Sequence, residues 1–551
     1  MNKIAILSNV NMEPAKSHCD DAGLGVPYFC PYGQFMQELM DEGSGVNRGA
    51  YRYVWLHLDA EEFLRDGFYT FPDEQKIIDS FTMLLSVSGK WAEKNPDRNM
   101  ILSSLVFPPQ TITNFLELNS DYSFSKIEVE LGRILSNFVQ SHQNVLVFNF
   151  HRIIKRFGFE SLCDEKYWYL GRIKYTEIGF SAICHEFNEL IRAYEGKSRK
   201  LLVCDLDNVL WGGIVGEEGP LGIDLSEEGP GKAFRDFQKT IKSLKEQGVL
   251  LAINSKNNEK DVREVFEKNR MMVLTWQDFV ITKVNWDNKP VNLQQIATEL
   301  NIGLDSMVMI DDSAQERLMI KEALPDIAVP EFPRNTAALK NWLINAVIYP
   351  YFGKTRLTQE DRDKDRQYKN MINRENLSKE LDINEYLKSL DIQLEILKNP
   401  KDYLARISQL TQKTNQFNLT TKRYQVNQIE SLVNNGRVFV YGLRYKDRFG
   451  DEGIVGAAIV TNEADNTAVL DTYLLSCRIL GRNVEFQFME LILGDLVQIG
   501  IDELRAEFVP TAKNLSAEKF YSKCGFEETD SGNYRASVKK VLRKLSAMVV
   551  H

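Results

Sequence analysis

One stretch near the middle of the chain, Leu201 to Gly213, constrains the fold more than any other. Its first four residues are apolar and predict a buried strand, because a strand covered on both faces has no polar side to alternate. Asp205 and Asp207 follow where this strand should end. Ligands of open α/β sheets bind just beyond the carboxyl ends of the strands, so the two carboxylates could hold a divalent cation and act on phosphate. Two aspartates that cap a turn fit this stretch equally well.

Length and composition limit the class of protein. A chain of 551 residues corresponds to roughly three domains, and no stretch approaches the ~20 apolar residues that span a membrane. The apolar run at the N-terminus is too short for a signal peptide, and seven scattered cysteines are typical of reduced thiols, so we expect a cytoplasmic protein. The net charge of −10 disfavours nucleic acids and anionic membranes as general partners.

The positions of the six histidines exclude one class of chemistry from most of the chain. They are His18, His57, His142, His151, His185 and His551. A Ser-His or Cys-His catalytic pair confined to the region beyond residue 185 is excluded, apart from one that uses the terminal His551. Proton transfers in that region depend on carboxylates, lysine, tyrosine or water.

Residues 1–196 alternate strand-like and helical patterns. Apolar runs lie at 4–7, 53–58, 101–107 and 144–150, and helices are predicted over 73–85, 126–139 and 176–194. The alternation predicts an α/β domain with a mainly parallel sheet, similar to SGNH hydrolases or flavodoxins. Ser8 follows the first run as an SGNH serine would, but the region contains no Asp-x-x-His, so we expect a scaffold or docking domain.

Three further patterns follow in the central region, residues 197–350. The run 248–254 leads into Ser255, Lys256 and Asn257; Lys289 comes about one strand–helix unit later; the run 307–310 leads into Asp311 and Asp312. Each pattern alone is weak evidence for a site, since serine often caps a helix and most lysines are solvated. Adjacent carboxylates at a strand end repel each other, and a bound cation normally relieves that repulsion. Asp-x-Asp, Ser, Lys and Asp-Asp, each after an apolar run and in this order, resemble the haloacid dehalogenase (HAD) phosphotransferase superfamily.

The resemblance to the HAD superfamily implies a role for each of these residues. Asp205 is the expected nucleophile, which forms an aspartyl-phosphate, and Asp207 the expected acid and base. The expected phosphate-binding residues are Ser255, Lys256, Asn257 and Lys289. The expected ligands of a Mg²⁺ cofactor are Asp205, Asp207 through its backbone carbonyl, Asp312 and, instead of it or beside it, Asp311.

Two features of the central region modify that expectation. Val209 stands where superfamily members usually carry threonine, so a hydroxyl near the nucleophile is missing and a modest effect on rate is expected. The spacing from Asp205 to Ser255 and on to Lys289 leaves no room for a large cap domain, and the glycine-rich segment 211–216 is the candidate cover. An open site suits a bulky or protein-bound substrate, or one completed by a neighbouring domain.

The C-terminal region divides into a charged helical linker, residues 351–390, and a further domain, residues 391–551. Strands are predicted at 437–443, 453–460, 469–476 and 503–509, and helices at 402–410 and 484–497. Arg478, Gly481 and Arg482 precede the second of these helices, whose first N–H groups could hold a phosphate. With the ending Tyr521-Ser522-Lys523-Cys524-Gly525-Phe526, this order resembles GNAT acyltransferases, and binding of a phosphopantetheine arm is expected.

Three residues of this domain are candidates for acyl chemistry. Cys477 precedes Arg478, and a thiol at a helix N-terminus beside arginines should be a good nucleophile; a buried structural cysteine is the equal alternative. The polar loop 411–420 contains Asn415 and Asn418, which could clamp a polar chain, while a turn that satisfies its own hydrogen bonds explains the loop equally well.

Taken together, the three regions resemble the FkbH-like proteins. The shared motifs are Asp-Leu-Asp-Asn-Val-Leu-Trp-Gly-Gly, Lys-Thr-Asn-Gln-Phe-Asn and Ser-Cys-Arg. The expected fold is an α/β chain of three domains, with a central Rossmann-like HAD domain lacking a large cap, flanked by an SGNH/flavodoxin-like α/β domain and a GNAT-like α+β domain. Members of that family take a glyceryl group from 1,3-bisphosphoglycerate, remove its phosphates and load it on an acyl carrier protein as a thioester. The resemblance thus implies a phosphorylated small-molecule substrate and a carrier-protein partner.

Two other functions fit the sequence. One is a stand-alone HAD phosphatase acting on a small phosphoester in a polysaccharide or secondary-metabolite pathway. The other is a non-catalytic scaffold that docks carriers, which Val209 and the missing SGNH histidine favour. Carrier proteins are commonly acidic and this chain is net negative, so docking requires a local basic patch. The candidates for that patch are Lys413, Lys422, Arg423, Arg478 and Arg482.

Overall fold

The structure, a computed structural model, describes residues 4–357, 359–463, 466–530 and 532–548. The outer limits of the predicted terminal domains, residues 1 and 551, and with them His551, lie outside the described residues. The chain forms two compact units, Met1–Ile191 with Gln425–Ser431, and Arg192–Tyr424 with Leu432–His551. Among the described helices, none combines the length and apolar character needed to cross a membrane.

The first unit contains a five-stranded parallel sheet with the strand order β2-β1-β3-β4-β5. The strands are β1 (Ile4–Ser8), β2 (Tyr28–Phe29), β3 (Tyr53–His57), β4 (Asn99–Ser103) and β5 (Val145–Phe148). The helices are α1 (Ala15–Asp21), α2 (Phe35–Met40), α3 (Gly45–Arg48), α4 (Ala60–Leu64), α5 (Glu74–Lys94), α6 (Phe124–Ser141), α7 (Phe150–Phe157), α8 (Phe159–Leu162), α9 (Glu165–Gly171) and α10 (Glu177–Tyr194). The parallel sheet matches the predicted alternation, and β2 is too short for a sequence pattern to indicate.

The second unit begins with a four-stranded parallel sheet of order β8-β7-β6-β9. The strands are β6 (Leu201–Cys204), β7 (Leu250–Ser255), β8 (Ile281–Val284) and β9 (Met307–Ile310). The helices are α11 (Val215–Glu218), α12 (Gly229–Glu246), α13 (Glu259–Lys268), α14 (Lys289–Glu299), α15 (Ala314–Ala323), α16 (Leu339–Trp342) and α17 (Tyr349–Phe352). Along β6, Leu202 and Cys204 belong to one apolar core and Leu201 and Val203 to another, so the strand is covered on both faces. Only α11 and α12 lie between β6 and β7, and no large cap is inserted there.

A seven-stranded mixed sheet, of order β10-β11-β12-β13-β14-β16-β15, completes the second unit. The strands are β10 (Gln393–Lys398), β11 (Val438–Asp447), β12 (Gly450–Asn462), β13 (Thr467–Leu475), β14 (Glu503–Glu507), β15 (Glu527–Asp530) and β16 (Asn533–Ser537). The helices are α18 (Gln359–Glu380), α19 (Ile383–Leu390), α20 (Leu404–Lys413), α22 (Val484–Gln498), α23 (Phe520–Cys524) and α24 (Val538–Met548). Most of α21 (Val426–Val433) belongs to the first unit, which includes Gln425–Ser431. Among the described residues of this sheet, only β13 and β14 pair in parallel, and α22 provides the crossover that a parallel pair requires. The predicted fold class, a multi-domain α/β chain with parallel sheets, is confirmed.

Helix α18 lies within the region predicted as a linker, and its packing differs from that of a linker. Arg374 is fully buried, donating to Asp447 at 2.6 and 2.7 Å and to Glu452 at 2.6 Å. A linker keeps its charges in water, whereas this helix places one against β11 and β12, where two carboxylates balance it. Because this region is rich in charged residues, its sequence pattern predicts exposed side chains and gives no sign of the buried contact of Arg374. The domain boundaries at residues 196, 350 and 390 remain predictions.

Candidate functional site

The carboxyl-terminal edge of the four-stranded sheet brings several predicted site residues together. Asp205 follows β6, Ser255 ends β7, Asp311 follows β9, and Lys289 is the first residue of α14. Strand β6 pairs with β7 on one side and β9 on the other, so the ends of the three strands are neighbours. This is the edge at which open α/β sheets bind ligands.

Lys289 joins two of these carboxylates. Its Nζ donates to Asp205 Oδ2 at 2.6 Å and to Asp311 Oδ2 at 2.5 Å, and all three side chains are buried. Burial opposes the charged ammonium, but the two carboxylates outweigh it and raise the pKa of Lys289. Burial, followed by the negative charge of Asp205, raises the pKa of Asp311. One lysine therefore holds two acidic groups that would otherwise repel each other.

Asp312 adds a third carboxylate to this group. One oxygen from each of Asp205, Asp311 and Asp312 lies within 4.8 Å of the others. Burial, followed by the charge of Asp205, raises the pKa of Asp312. Carboxylate oxygens are the ligands that hard divalent cations prefer, and Lys289 alone does not neutralise three carboxylates, so the donor set fits Mg²⁺. Both Asp311 and Asp312 belong to the cluster, and the choice between them as the main ligand stays open.

Asp207 lies beside the cluster with both of its carboxylate oxygens engaged. Its Oδ1 accepts from Trp211 Nε1 at 2.9 Å and from the backbone N–H of Val215 at 3.1 Å. Its Oδ2 accepts from Asn257 Nδ2 at 2.9 Å, and the same amide lies 3.2 Å from Ser255 Oγ. Oδ1 has two donors, whereas Oδ2 has one and keeps an acceptor position through which Asp207 can exchange a proton with a substrate or water.

Three residues of the central domain have surroundings that the sequence did not indicate. Trp211 is fully buried in the core beside Asp207, so it is not part of the cover predicted for segment 211–216. A large indole is more stable in the core than over an open site. Lys256 is ion-paired with Glu316 at 2.7 Å, so a phosphate would have to share its ammonium with that carboxylate. Val209 is fully buried in the same core as Trp211, where its apolar side chain is well accommodated.

Two supporting residues escaped the sequence analysis. Arg317 Nη1 donates to the carbonyls of Asp311 at 2.9 Å and Asp312 at 2.7 Å, which fixes the turn that carries both carboxylates. Asn254 donates to the carbonyl of Lys289 at 3.1 Å and so positions the start of α14. A polar Asn254 inside an otherwise apolar buried strand is the signal by which the sequence could have revealed its role.

A separate cavity of about 570 Å³ lies in the second unit. Residues of the domain with the four-stranded sheet and of the domain with the seven-stranded sheet both line it. Its lining includes Lys200, Asn301, Asp305, Ser306, Asp326, Asp361, Lys364, Gln367, Tyr368, Arg406, Lys413, Asn415, Cys477, Arg478 and Lys513. The volume is within the range of small-molecule sites. The cavity brings Cys477, a residue predicted to be catalytic, next to a set of cationic side chains.

Cys477 is half-buried at the cavity wall, in a short 3₁₀ turn, Cys477–Ile479. Helix α22 begins only at Val484, so the expectation that this thiol sits at an α-helix N-terminus is wrong; the intervening loop separates them. The carbonyl of Cys477 accepts from Asn301 Nδ2 at 3.0 Å. Burial, followed by interaction with Cys477, raises the pKa of Tyr368, a cavity residue that sequence reasoning missed.

Arg478 and Asn415, two of the residues predicted to bind an acyl or pantetheine group, line the cavity. The guanidinium of Arg478 is buried and contacts Ser476 at 3.2 Å, Glu452 at 3.3 Å and Gln367. Asn415 accepts from Arg423 at 2.8 Å. Both residues therefore have protein partners that a ligand would have to share.

Gly481, Arg482 and Asn418, the other three residues of that prediction, are not part of the cavity lining. Arg482 is buried against the ring of Tyr445, with Nη1 3.4 Å from its hydroxyl. Asn418 is buried, donates to the carbonyl of Thr414 at 3.2 Å and accepts from a backbone N–H at 2.9 Å. The loop that contains Asn418 thus satisfies its own hydrogen bonds, which is the second of the two explanations that the sequence left open.

The first unit places Ser8 and His57 in packed surroundings. His57 is fully buried at the end of β3, with one ring nitrogen 2.7 Å from Ser103 Oγ and the other 2.8 Å from the Tyr175 hydroxyl. Burial lowers the pKa of His57 to about 3, so the ring is neutral. Ser8 Oγ accepts from the backbone N–H of Val10 at 3.2 Å. The scaffold role of this unit remains a prediction.

Comparison with known proteins gives one informative match. No protein-family model matches the chain, and no curated protein matches it. Among solved structures, the chain is similar to the N-terminal part of the protein BF1531 from Bacteroides fragilis, described as containing a phosphatase domain complexed with Mg. The identity is 27%, the TM-score 0.60, and the match covers 65% of this chain and 95% of that chain.

Weaker matches involve acetyltransferases. A GNAT-family acetyltransferase from Staphylococcus aureus Mu50 matches with 13% identity and a TM-score of 0.21, over 26% of this chain and 99% of its own. The ribosomal-protein-S18-alanine N-acetyltransferase from Escherichia coli matches with 16% identity and a TM-score of 0.20, over 26% of this chain and 89% of its own. These two similarities are too weak to support a conclusion about the seven-stranded domain.

Proposed function

We propose that the chain is a Mg²⁺-dependent phosphatase of the HAD type that also transfers an acyl group. The observation that carries the phosphatase half is the strand-end group of Asp205, Lys289, Asp311 and Asp312. Similarity to the Mg-complexed phosphatase domain of BF1531 supports it. The acyl half rests on Cys477 at the cavity wall and on the resemblance to FkbH-like proteins.

In the proposed phosphatase reaction, an Asp205 oxygen attacks phosphorus, forming one P–O bond while the bond to the leaving oxygen breaks. Asp207 gives its proton, held on Oδ2 beside the Asn257 amide, to that leaving oxygen. It then accepts a proton from water, whose oxygen attacks phosphorus and frees the Asp205 carboxylate together with phosphate. Lys289 and Ser255 hold the phosphoryl oxygens. Bound by the three clustered carboxylates, Mg²⁺ would supply positive charge against the phosphoryl oxygens.

The phosphatase half is tested by Asp205→Asn in the full chain. Loss of the nucleophile is expected to reduce phosphate release from p-nitrophenyl phosphate in the presence of Mg²⁺ by at least ~1,000-fold. Asp502→Asn, which removes an equivalent charge at an exposed ion pair with Lys539, is the matched control and is expected to retain full activity. An Asp205→Asn variant that keeps a tenth or more of the activity would contradict the assignment.

For the acyl half, we propose a phosphorylated three-carbon acyl phosphate, such as 1,3-bisphosphoglycerate, as donor and the thiol of an acyl carrier protein as acceptor. The Cys477 thiolate attacks the carbonyl carbon, a C–S bond forms, and the C–O bond to the phosphate breaks. The carrier thiolate then attacks the Cys477 thioester and releases the cysteine sulfur, which regains a proton. An acyl phosphate is reactive enough for this step without further activation.

Intact-mass measurement tests the acyl half. Incubation with the donor and Mg²⁺ is expected to add one glyceryl-type group to the wild-type chain and none to Cys477→Ala. Cys163→Ala, which removes a half-buried thiol of the first unit, is the matched control. An adduct that survives Cys477→Ala excludes Cys477 as the acyl carrier.

A stand-alone phosphatase is the second candidate, favoured by the complete strand-end group of carboxylates and lysine. Phosphate release from a panel of phosphoesters, with and without an acyl carrier protein, separates the candidates. Turnover that requires the carrier supports acyl loading, and turnover indifferent to it supports the stand-alone phosphatase. Failure of every substrate would leave the non-catalytic carrier-docking scaffold.

A further inference from the structure

Trp211 connects the core of the phosphatase-like domain to the carboxylate of Asp207. Its ring is fully buried and lies edge-on to the ring of Phe266, with the two centroids 6.2 Å apart. Its Nε1–H donates to Asp207 Oδ1 at 2.9 Å. A buried indole N–H without an acceptor is costly, and a ring held by a packed core cannot turn to find another one. The indole therefore fixes the carboxylate oxygen that it contacts.

The loop that follows Asp207 adds a second donor to the same oxygen. Asn208 has a left-handed backbone, with a φ of 56°, and its side-chain oxygen accepts from the N–H of Gly213 at 3.0 Å. Asparagine adopts this backbone region more readily than most residues do. The loop thereby folds back on itself, and the N–H of Val215 donates to Asp207 Oδ1 at 3.1 Å. Core packing and local sequence thus direct two donors at one oxygen.

The two carboxylate oxygens of Asp207 consequently differ in what they can do. Oδ1 accepts from Trp211 and Val215, so both of its lone pairs are engaged and a proton is unfavourable there. Oδ2 accepts from Asn257 Nδ2 at 2.9 Å and from no other group among the described residues. When Asp207 is a neutral acid, its proton is therefore held on Oδ2, the oxygen that is available to a leaving group.

An acid that is oriented in this way helps some phosphate esters more than others. When the P–O bond breaks, a strongly basic leaving oxygen needs a proton, and a general acid that delivers it lowers the barrier. The anion of p-nitrophenol is a weak base and departs with little help. The orientation of Asp207 should therefore affect the reaction of an ester in proportion to the basicity of its leaving group.

We propose that Trp211 is a positioning residue of the phosphatase site, whose indole N–H holds Oδ1 of Asp207 so that the acidic proton is presented from Oδ2. As the P–O bond breaks, its electron pair stays with the leaving oxygen, which takes this proton, and Asp207 becomes a carboxylate. In the second step the same oxygen accepts a proton from the attacking water. The inference rests on the proposed phosphatase and adds to it a residue that acts through Asp207.

The dependence of the rate on the leaving group tests this role. The full chain and its variants are assayed with Mg²⁺ on phenyl phosphate and on p-nitrophenyl phosphate, two esters of similar shape that differ in the basicity of the leaving oxygen. The measured quantity is kcat/KM, which reports phosphoryl transfer to Asp205. Trp211→Phe keeps an aromatic ring and removes the N–H. It is expected to lower kcat/KM at least ~tenfold for phenyl phosphate and less than ~threefold for p-nitrophenyl phosphate.

Two further variants separate the hydrogen bond from the packing. Incorporation of 3-benzothienylalanine at position 211 keeps the size of the indole and replaces its N–H by sulfur, so it is expected to show the same selective loss even if Trp211→Phe does not fold. Trp276→Phe is the matched control. Trp276 packs against the same core and the same Phe266 ring, at 5.5 Å between centroids, and is not among the donors to Asp207. This control is expected to match the wild type on both esters.

The outcomes separate the role of Trp211 from the proposed function. Equal losses on the two esters in the variants at position 211, or no loss at all, overturn the role of Trp211. If Asp205→Asn abolishes turnover of both esters in the same experiment, the phosphatase assignment stands nevertheless. Retained activity in Asp205→Asn, or a wild type that hydrolyses neither ester, refutes the phosphatase itself and the role of Trp211 with it.

Discussion

Lys289→Met is the substitution whose effect the structure defines most closely. The ammonium of Lys289 lies 2.6 Å from Asp205 and 2.5 Å from Asp311, and all three groups are buried. At an effective dielectric constant of ~20, each pair corresponds to about 6 kcal/mol of Coulomb attraction before the cost of desolvation. Breaking a buried pair by removing one partner typically costs about 3–5 kcal/mol, because the other charge is left uncompensated. We expect a loss in that range from the free energy of unfolding of the metal-free chain.

The effect of Mg²⁺ on this variant distinguishes a cation site from a structural ion pair. Without Lys289, the three clustered carboxylates have no ion-pair partner among the described residues, because Arg317 donates to Asp311 and Asp312 only at their carbonyls. A bound divalent cation replaces part of that charge, so millimolar Mg²⁺ is expected to recover more stability in the variant than it adds to the wild type. Phosphatase activity is expected to stay low in both conditions, because Lys289 is also proposed to hold the phosphoryl group.

Urea unfolding, followed by circular dichroism with and without Mg²⁺, measures both effects. Lys256→Met is the matched control, because Lys256 forms a single half-buried pair with Glu316 at 2.7 Å, and its loss is expected to cost no more than about 1 kcal/mol. A loss below about 1 kcal/mol for Lys289→Met, or an equal response of variant and wild type to Mg²⁺, would refute the reasoning.

Two further predictions concern the cavity and α18. Lys413→Met is expected to raise the free energy of unfolding near neutral pH by roughly 1–2 kcal/mol. The pKa of Lys413 in the folded chain, about 8, is below its ordinary value. The unfolded chain therefore binds more protons than the folded chain between these two pKa values, and the stability of the wild type rises with pH over that range. Urea unfolding at several pH values checks this, and the gain should vanish above about pH 10. Arg374→Met, which leaves Asp447 and Glu452 buried without their cation, is expected to cost about 3–5 kcal/mol, against less than about 1 kcal/mol for the exposed Arg366→Met. Equal losses in the two arginine variants would contradict the paired burial of Arg374.

The strand-end group could be predicted from the sequence because it depends on local patterns and one general rule. Apolar runs located β6, β7 and β9, and parallel strands bring their carboxyl ends to one edge, so Asp205, Ser255 and Asp311 had to be near one another. That rule does not predict the distances between these side chains or their hydrogen-bond partners. Nothing in the sequence indicates that Lys289 bridges two carboxylates or that Asn257 engages Asp207.

Other features depend on contacts between distant segments, and the sequence patterns misled there. Glycines after Trp211 suggested a cover that includes this residue, whereas its indole is buried in the core and donates to Asp207. The cavity is built from segments near residues 200, 301, 364, 413 and 477, which no local periodicity relates to one another. Arg374 belongs to a stretch dense in charge, and only its tertiary partners reveal that it is buried.

Helix α18 has a consequence for how such a chain can be divided. One side of its sequence supplies Lys364 and Tyr368 to the cavity, and Arg374 anchors the helix to the seven-stranded sheet. Lys200 and Asn301 complete the same cavity from the phosphatase-like domain. Neither domain can therefore be excised, fused to another partner or exchanged between proteins without opening that cavity. A dissection at residue 391 would separate the Cys477 thiol from Lys200 and Lys364, so the two domains are expected to be inherited together rather than shuffled as independent modules.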